Sequence, residues 1–382
     1  MKVLHIITGL GVGGAETMLL KLLTRFGADG PACEVVSLAP EGPMADPIRA
    51  LGVPVSALGL GSGAGAAFGL PGLIGRVRRA RPDLVQCWMN HGNLMGGLAA
   101  RAACRAPILW SLRQSNLDPV LTKRGTMTVL RLGARLSRRL PDRILCVSES
   151  ARRVHAGLGY DESRMVVIPN GFDLDVFRPD RAVRVASRAE LGIDPDAVLI
   201  GLIARFDPQK DIGSFLAAGA RVAAATADAR FLLCGEGMDP ANPVLARLIA
   251  DTDLGARVHL LGRRTDIPRI TAALDIAVSS SAYGEGFSNA LGEALACAVP
   301  AVATDVGDAR EIVGEEGRIV PIRDPAALAA AMADLIALGA EGRARLGQEG
   351  RARMARDYAL DAIARRYRAI YEEVLVGRGT RA

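Results

Sequence analysis

The feature that most constrains the fold of this chain is a regular alternation of short apolar runs with longer amphipathic stretches. The first run, Lys2 to Thr8, is apolar and partly β-branched, which indicates a buried strand, and the stretch from Ala15 to about Arg25 indicates a helix. The same pair recurs, for example as a strand at Asp83–Trp88 and a helix at Asn93–Cys104. Repeated strand–helix units predict an α/β fold with a parallel, doubly wound sheet.

The alternation stops once and then restarts, which indicates two domains. A charged stretch, Phe172 to Ala186, is interpreted as the linker, and a new strand is predicted at Ala197–Ala204. At 382 residues the chain is also longer than one core comfortably supports. We expect two Rossmann-like domains that face each other across a cleft at the carboxyl ends of their strands, where ligands usually bind. The predicted boundaries are residues 1–168 for the first domain, 169–359 for the second, and 360–382 for a C-terminal helix that packs back on the first.

A glycine-rich segment follows the first predicted strand. Gly9, Gly11 and Gly14 match the pattern G-x-G-x-x-G between a strand and a helix, which is typical of dinucleotide binding. The acidic residue expected at the end of the second strand is missing, because Glu34 lies at the wrong end of that strand. We therefore interpret the glycines as a close approach of the backbone to an anionic or bulky group, and we keep an NAD-type oxidoreductase as an alternative.

Two glutamates lie in one stretch that follows a later strand, Ser279 to Asp305. Glu285 falls in a glycine-containing loop, and Glu293 falls in a helix that is predicted to begin near Ser288. The free amides at the start of such a helix form an anion site. These amides are predicted at Phe287, Ser288 and Asn289. For two isolated glutamates, a solvated loop residue and a helix-surface charge would be the favoured interpretation. In this stretch they suit two clamps on hydroxyl groups that flank a bound phosphate, which is the layout of a nucleotide-sugar.

Two cations follow the strand that opens the second domain. Arg205 and Lys210 are five residues apart in a predicted loop, where they suit a bound diphosphate about as well as a solvated loop. A charge-assisted hydrogen bond contributes about 1.5–3 kcal/mol net, and more where charge develops on a leaving group. His91 is the histidine that we place in a loop at the carboxyl end of a strand, facing the predicted cleft. The other histidines are expected to be structural or to lie on a polar helix; they are His5, His155 and His259.

Basic residues concentrate in the first domain. The segment from Arg76 to Arg153 holds sixteen lysines and arginines against four acids, a net charge of +12, while the whole chain carries +6. Such a segment indicates either an anionic partner or a solubilising surface. Peripheral contact with an anionic membrane is one hypothesis, at about 1 kcal/mol for each basic residue near the surface. Nucleic acid is disfavoured because aromatic residues do not interleave the charges.

Cysteine usage and hydropathy indicate a protein of the reducing cytosol. The six cysteines form no C-x-x-C pair and no Cys/His cluster, so neither a zinc site nor a disulfide framework is indicated. The first apolar run is too short for a signal peptide, and no apolar stretch reaches the length of about 18 residues that a membrane span needs.

Five stretches together resemble a known family. They are Gly9–Glu16 (GLGVGGAE), the histidine loop Trp88–Asn93 (WMNHGN), Val166–Asp173 (VVIPNGFD), Ala204–Asp211 (ARFDPQKD) and Glu285–Glu293 (EGFSNALGE). In this order and at these spacings they resemble the GT-B retaining glycosyltransferases of family 4 along almost the whole chain. The WMNHGN stretch and SLRQSN at Ser111–Asn116 are similar to members that act in bacterial surface-polysaccharide and lipopolysaccharide assembly.

The resemblance implies a role for each candidate residue. Arg205 and Lys210 would hold the donor diphosphate and stabilise the departing nucleotide. Glu285 would bind hydroxyls of the donor sugar, Glu293 would bind the ribose, and His91 would face the sugar at the reaction centre. The remaining donor-binding residues would be Gly13, Gly14, Phe287, Ser288, Asn289 and Arg263, the last in a loop that, with Tyr283, sets the choice of base and sugar.

Two positions depart from the family's pattern. Ala298 stands where glycine is common, and Ser288 stands where proline is common. Both affect the shape of a turn or of a helix start, and neither removes a proposed ligand.

We therefore expect an enzyme, a hexosyl- or N-acetylhexosaminyl-transferase that moves a sugar from a nucleotide-diphosphate sugar to an acceptor hydroxyl with retention. No side chain is an obvious nucleophile for a double displacement, so we expect front-face substitution with leaving-group stabilisation. We expect no cofactor and no metal ion. The expected acceptor is lipid-linked or a saccharide, and the expected location is the cytoplasm, at the inner face of the plasma membrane if the basic segment docks there. A non-catalytic sugar-nucleotide-binding protein and a phosphorylase remain alternatives beside the oxidoreductase.

Overall fold

The computed structural model describes residues 1–27, 30–60, 69–115 and 122–379. Backbone contacts divide the chain into two compact units. Unit 1 consists of Met1–Gly171 together with the chain from Leu360 onward, and unit 2 consists of Phe172–Ala359. The first boundary therefore lies after Gly171, where the sequence analysis placed it after residue 168.

The strands described in unit 1 form one parallel sheet. They are β1 (Lys2–Ile7), β2 (Ala32–Ser37), β3 (Val55–Ala57), β4 (Leu84–Trp88), β5 (Ile108–Leu112), β6 (Arg143–Cys146) and β7 (Met165–Val167). Their spatial order is β3-β2-β1-β4-β5-β6-β7, which is that of a doubly wound sheet. Every side chain from Val3 to Ile7 is buried, as expected for a central strand of a parallel sheet with both faces covered.

Helices connect these strands. They are α1 (Gly14–Phe26), α2 (Ala45–Ala50), α3 (Leu70–Ala80), α4 (Met89–Ala103), α5 (Arg124–Leu136) and α6 (Glu149–Gly157). α1 shows why such segments fold as helices: Met18, Leu19, Leu22 and Phe26 recur at three- and four-residue intervals, and all are buried in the core.

One expectation for unit 1 is wrong in detail: α4 begins at Met89 rather than Asn93. On α5, which ends at Leu136, the Leu132 side chain is 41% exposed. The helix packs through Met127, Leu130, Gly133 and Ala134, and a Cβ on Gly133 would lie 2.5 Å from the Tyr160 hydroxyl.

Unit 2 also contains one parallel sheet in the residues that the structure describes. Its strands are β8 (Val198–Ile203), β9 (Ala229–Cys234), β10 (Val258–Leu260), β11 (Ile276–Ser279), β12 (Ala301–Thr304) and β13 (Gly317–Val320). The order is β10-β9-β8-β11-β12-β13, so β8 and β11 are neighbours at the centre, where the direction of winding changes. Separate apolar clusters include Leu199 and Ala277 on the one hand and Ile200 and Val278 on the other, as the alternation of side chains along a strand requires.

The helices of unit 2 include one in the segment that was interpreted as a linker. They are α7 (Arg181–Glu190), α8 (Ile212–Ala225), α9 (Pro243–Ala250), α10 (Ile267–Ala272), α11 (Asn289–Ala296), α12 (Ala309–Val313), α13 (Pro325–Ala337) and α14 (Gly339–Asp357). α7 begins within the predicted linker, because Asp180 caps it by accepting a hydrogen bond from the Val183 amide at 3.0 Å. The linker interpretation was therefore wrong for the second half of that segment.

The last helix, α15 (Leu360–Gly379), belongs to unit 1. Its apolar side chains lie in the same core cluster as α1 and β1. The buried residues are Leu360, Ile363, Ala364, Tyr367, Tyr371 and Val374. Tyr371 also donates a hydrogen bond to Gln86 Oε1 on β4, which joins the end of the chain to the centre of the sheet.

Among the helices of the described chain, none alone has the length and apolar composition of a membrane span. The pair α13 and α14 meets the test only when taken together, and its members are bent from each other by 105°.

Candidate functional site

The loop after β8 presents a lysine on a tightly held backbone. Asp207 accepts a hydrogen bond from the Gln209 amide at 2.9 Å and opens a single 3₁₀ turn over Pro208–Lys210. The next residue, Asp211, adopts a left-handed conformation with φ of +46° and caps α8. Left-handed backbone at a residue other than glycine is strained and occurs often at functional sites. The strain and the two caps together fix the direction in which Lys210 leaves the chain.

Lys210 forms an ion pair with Glu285, which lies 75 positions further along the chain in the loop after β11. The Ser281 hydroxyl donates a second hydrogen bond to the same carboxylate oxygen, Glu285 Oε1, at 2.8 Å. The side chains of Lys210 and Glu285 are only 19% and 12% exposed. A charged pair that is partly shielded from water interacts more strongly than a surface pair. The structure thus brings two of the predicted catalytic residues into direct contact at the carboxyl ends of neighbouring strands.

Gly307 holds the backbone of the Glu285 loop in place. Its φ of +63° favours glycine, and a Cβ at this position would lie 2.0 Å from the Glu285 carbonyl oxygen. The loop therefore rests directly on the chain that follows β12.

The predicted anion site at the start of α11 differs slightly from its expected position. Ser288 is the N-cap residue, and its side chain makes no capping hydrogen bond. The Ser288 and Asn289 amides belong to the first four of the helix, which have no partner within it. The Phe287 amide lies before the helix, and the Phe287 ring stacks on Phe172 at 6.0 Å between centroids. Phe287 was therefore placed one residue too far into the helix, and its ring has a packing role.

Three further predicted residues of unit 2 are Arg205, Glu293 and Arg263. Arg205 is exposed, and its guanidinium pairs locally with Asp207 at 3.1 Å. Glu293 is half-buried on α11, two turns after Glu285, and Arg263 is exposed just after β10. The structure places all three at the same carboxyl edge of the sheet or on the helix that follows it, and their roles stay predictions.

Sequence reasoning missed one loop at this edge. Gly235 follows β9 with φ of +145°, and a Cβ there would lie 2.1 Å from the Ala204 carbonyl oxygen. The Glu236 carbonyl oxygen accepts a hydrogen bond from the Phe206 amide at 2.7 Å, which connects the loop after β9 to the loop that carries Arg205. A glycine pair after a buried strand, Gly235 and Gly237, was the available signal.

In unit 1, His91 lies in the first turn of α4 and not in a loop as predicted. The residue that opens the helix, Met89, has a left-handed φ of +64°, so the chain turns sharply after β4. The Gly92 amide donates a hydrogen bond to Thr8 Oγ1 at 3.0 Å, which anchors this turn at the end of β1. His91 is half-buried, and burial lowers its pKa from the usual value of 6.5, so the imidazole is neutral at pH 7.

The glycine loop carries a carboxylate that the sequence analysis did not use. Gly13 is the N-cap residue of α1, Gly14 is its first residue, and a Cβ on Gly13 would lie 2.7 Å from Glu16 Oε2. Burial raises the pKa of Glu16, while the positive charge of Arg113 opposes that shift. An ionised carboxylate at this point repels a phosphate. The surroundings of Gly13 and Gly14 are thus less favourable for an anion than those of Lys210.

The oxidoreductase alternative was disfavoured because Glu34 lies at the wrong end of the second strand. Glu34 lies near the amino end of β2, where it pairs with Lys2 at 3.0 Å, so it is remote from the position of a ribose-binding acid. Across residues 1–27, 30–60, 69–115 and 122–379, no group of three His, Cys, Asp or Glu side chains is arranged to hold a metal ion.

The two units match two sequence families. Residues 12–176 match the family described as Glycosyltransferase Family 4, and residues 197–337 match the family described as Glycosyl transferases group 1. The D-inositol 3-phosphate glycosyltransferase of Mycobacterium tuberculosis is 35% identical over 169 residues, which is 43% of this chain and 34% of that protein. The alignment thus spans about a third of the length of the curated relatives that the chain matches.

Solved structures match almost the whole chain. The Anabaena protein Alr3699/HepE in complex with UDP has a TM-score of 0.86 at 22% identity, over 98% of this chain and 100% of that one. Sucrose-phosphate synthase from Thermosynechococcus elongatus has a TM-score of 0.83 at 19% identity, over 99% of this chain and 100% of that one.

The two parallel α/β units and these neighbours define the class: the chain has the GT-B fold. The family matches in both units then show that it belongs to glycosyltransferase family 4, a family of transferase enzymes.

Proposed function

We propose that this chain is a retaining glycosyltransferase that moves a sugar from a nucleotide-diphosphate sugar to an acceptor hydroxyl. The observation that carries the proposal is the Lys210–Glu285 pair, which stands at the carboxyl ends of β8 and β11, and α11 begins four residues after Glu285. A cation, a carboxylate and the amino-terminal end of a helix dipole in one place suit a ligand that has a diphosphate next to sugar hydroxyls.

The proposed chemistry is leaving-group stabilisation. As the bond between the sugar and the nucleotide diphosphate breaks, negative charge grows on the departing phosphate oxygens, and Lys210 and the α11 amides stabilise that charge. Arg205 reaches the diphosphate when it leaves Asp207, and its exposure permits that movement. Glu285 accepts hydrogen bonds from hydroxyls of the donor sugar, and Glu293 accepts those of the ribose. His91, neutral at pH 7, bonds the sugar at the reaction centre.

The proposed donor class has support from relatives. Alr3699/HepE, a structural neighbour, was solved with UDP and with UDP-glucose. A thermal-shift screen with UDP-, GDP- and ADP-sugars tests the donor: we expect one nucleotide to raise the melting temperature and the others to have little effect. A screen with no response to any of them contradicts the proposal.

Stereochemistry and metal dependence are tested on the same donor. We expect the product to keep the anomeric configuration of the donor, as read by proton NMR of the first turnovers. EDTA should leave the rate unchanged, because lysine and helix amides supply the positive charge. An inverted product, or activity that returns only with a divalent ion, contradicts these parts of the proposal.

We further propose a cytoplasmic enzyme of surface-polysaccharide or glycolipid assembly, acting on a lipid-linked or saccharide acceptor at the inner face of the plasma membrane. The support is α5, whose exposed residues include Arg124, Arg131, Arg135 and Leu132. Basic residues around an apolar side chain suit an anionic bilayer surface.

Sedimentation with vesicles tests the membrane contact. We expect binding to phosphatidylserine-containing vesicles at low salt, none to pure phosphatidylcholine, and loss of binding in the double variant Arg131→Glu/Arg135→Glu. Equal binding to both vesicle types, or to neither, contradicts the docking proposal and leaves the transferase proposal intact.

A further inference from the structure

Two adjacent serines follow β11, and each is bonded to a different part of the proposed catalytic pair. The Ser280 hydroxyl donates to the Lys210 carbonyl oxygen at 2.7 Å and lies 3.1 Å from that of Asp211. The Ser281 hydroxyl donates to Glu285 Oε1 at 2.8 Å. Both serines are 1% exposed. A buried hydroxyl needs a partner, and here both partners belong to the two loops that meet at the site.

Ser280 acts on the backbone that carries Lys210. Its hydroxyl bonds the carbonyl that precedes Asp211, whose left-handed φ of +46° is strained. The Ala282 amide adds a hydrogen bond to the Gln209 carbonyl at 2.8 Å. The loop after β8 is therefore fastened along its length to the end of β11, and the strained turn is held by a side chain from another strand.

Ser281 acts on the carboxylate itself. The last torsion of a glutamate is broad, so the hydrogen-bond partners of the carboxylate set its rotation. Glu285 Oε1 accepts from the Ser281 hydroxyl and from the Lys210 ammonium, and these two donors restrict the rotation of the group. Ser281 is in turn fixed from β12, because Thr304 Oγ1 donates to its carbonyl oxygen at 2.6 Å.

We propose that Ser280 and Ser281 are positioning residues: Ser280 sets the direction of Lys210 through the backbone, and Ser281 sets the orientation of the Glu285 carboxylate. Neither is assigned contact with substrate. The roles proposed for Lys210 and Glu285 in sugar transfer are the basis of this inference, but the geometry can be tested without any substrate.

Chemical labelling of lysine provides that test. The chain has four lysines, Lys2, Lys21, Lys123 and Lys210, so the acetylation rate of Lys210 can be followed by mass spectrometry relative to that of the exposed Lys123 in the same molecule. Pairing with Glu285 protects Lys210. We expect Ser281→Ala to raise the relative rate about tenfold, as the loss of one hydrogen bond to a charged group implies, and Glu285→Gln to raise it at least as much.

Double variants separate a positioning role from a general loosening of the fold. Ser281 acts through Glu285, so Ser281→Ala should add nothing in the Glu285→Gln background, whereas Ser280→Ala should still raise the rate there, because it acts on the Lys210 backbone. Ser279→Ala is the matched control, since it keeps the main-chain oxygen that Thr304 contacts, and it should leave the rate unchanged. An unchanged Lys210 rate in folded Ser281→Ala, or an additive effect with Glu285→Gln, overturns the inference.

Turnover provides the second readout. With UDP-glucose as the probe, or the GDP- or ADP-sugar that stabilises the wild type instead, we expect each single serine variant to lower kcat about tenfold with a smaller change in KM, and we expect no loss from Ser280→Ala in the Lys210→Ala background. If the wild type processes none of these donors, the proposed function fails, while the labelling experiment still decides whether the serines position the pair.

Discussion

The two units have the same architecture but differ in what their sheets carry at the centre. In unit 2 the loops after β8 and β11 meet in a partly exposed group of charged and hydroxyl side chains. In unit 1 the end of β4 enters a buried aromatic network. Trp88 donates to His5 Nδ1 at 3.1 Å, lies against Tyr367 of α15 with ring centroids 6.2 Å apart, and has the Arg113 guanidinium over its face at 5.5 Å. The same fold therefore carries a charged, hydroxyl-rich group at the centre of one sheet and a buried aromatic network at the centre of the other.

The largest expected effect comes from removing the lysine of the charged group in unit 2. Lys210→Ala should lower turnover about 10³-fold, because it removes a donor aimed at the charge that develops on the leaving group. Steady-state kinetics with the donor found in the thermal-shift screen measure this. Lys123→Ala, an exposed lysine of unit 1, is the control and should keep wild-type turnover. Wild-type turnover in Lys210→Ala would refute the assignment of the site.

The second-largest effect distinguishes the strain of a left-handed backbone from the displacement of the Glu285 loop. Gly307→Ala should lower turnover about 10²-fold, because its Cβ pushes the Glu285 backbone by an amount that misplaces the carboxylate. Gly192→Ala is a matched control: its φ of +64° is nearly that of Gly307 at +63°, but no atom lies within 4 Å of its Cβ position. Both variants bear the left-handed strain, so equal activity in the two would show that the contact with Glu285 has no role.

Acid should weaken unit 1 through two buried histidines. Burial lowers the pKa of His5 to about 3 and that of His155 to about 4, from 6.5 in the unfolded chain. As pH falls from 6.5 to 5.5, the unfolded state takes up protons that the folded state does not, so the free energy of unfolding falls, by about 2 kcal/mol for the two histidines together. Both tryptophans of the chain, Trp88 and Trp110, lie in unit 1, so urea unfolding followed by tryptophan fluorescence reports on this unit.

Replacing one histidine checks the cause of that pH dependence. In His155→Gln, whose amide can replace the hydrogen bond to the Ala151 carbonyl oxygen but does not titrate, the change between pH 6.5 and 5.5 should be about half as large. A stability that stays constant over this range in the wild type would contradict the buried neutral state of both histidines.

The smallest effect tests the tie between α15 and the sheet. Tyr371→Phe leaves the buried Gln86 oxygen without its hydroxyl donor and should cost about 1 kcal/mol of unfolding free energy in the fluorescence transition. Tyr358→Phe removes a hydroxyl that bonds the Glu311 carbonyl at 3.3 Å within unit 2, and it should leave the tryptophan transition unchanged. Equal shifts of that transition in both variants would contradict the claim that the Tyr371 hydroxyl stabilises unit 1 specifically.

Much of the fold could be predicted from the sequence because apolar periodicity and glycine placement are local signals. The start of α4 could not, since Asn90, His91 and Gly92 resemble a turn and the left-handed Met89 is set by packing rather than by its own preference. The start of α7 was missed although Asp180 is a good N-cap residue, because the many charged residues of the segment Phe172–Ala186 resembled a linker.

The sequence pointed to candidate residues for the site but not to the contacts between them. The meeting of Lys210 with Glu285 depends on β8 and β11 being neighbours, which is a property of the sheet order. No pattern in the sequence pointed to Ser281, because its hydrogen bond to the Glu285 carboxylate depends on the shape of the loop that holds both residues. The pairing of Arg205 with Asp207, only two residues away, is a local interaction that the sequence alone offered.

The return of α15 to unit 1 has a consequence for synthesis of the protein. A ribosome releases β1 to β7 first, but the apolar face that α15 covers, including Leu19 and Trp88, stays open until the final helix emerges. Unit 2 is contiguous and acquires its core while the earlier half is still incomplete. The nascent chain thus carries an uncovered hydrophobic surface through the translation of about half its length, which makes it a natural client for chaperones that hold unfinished domains.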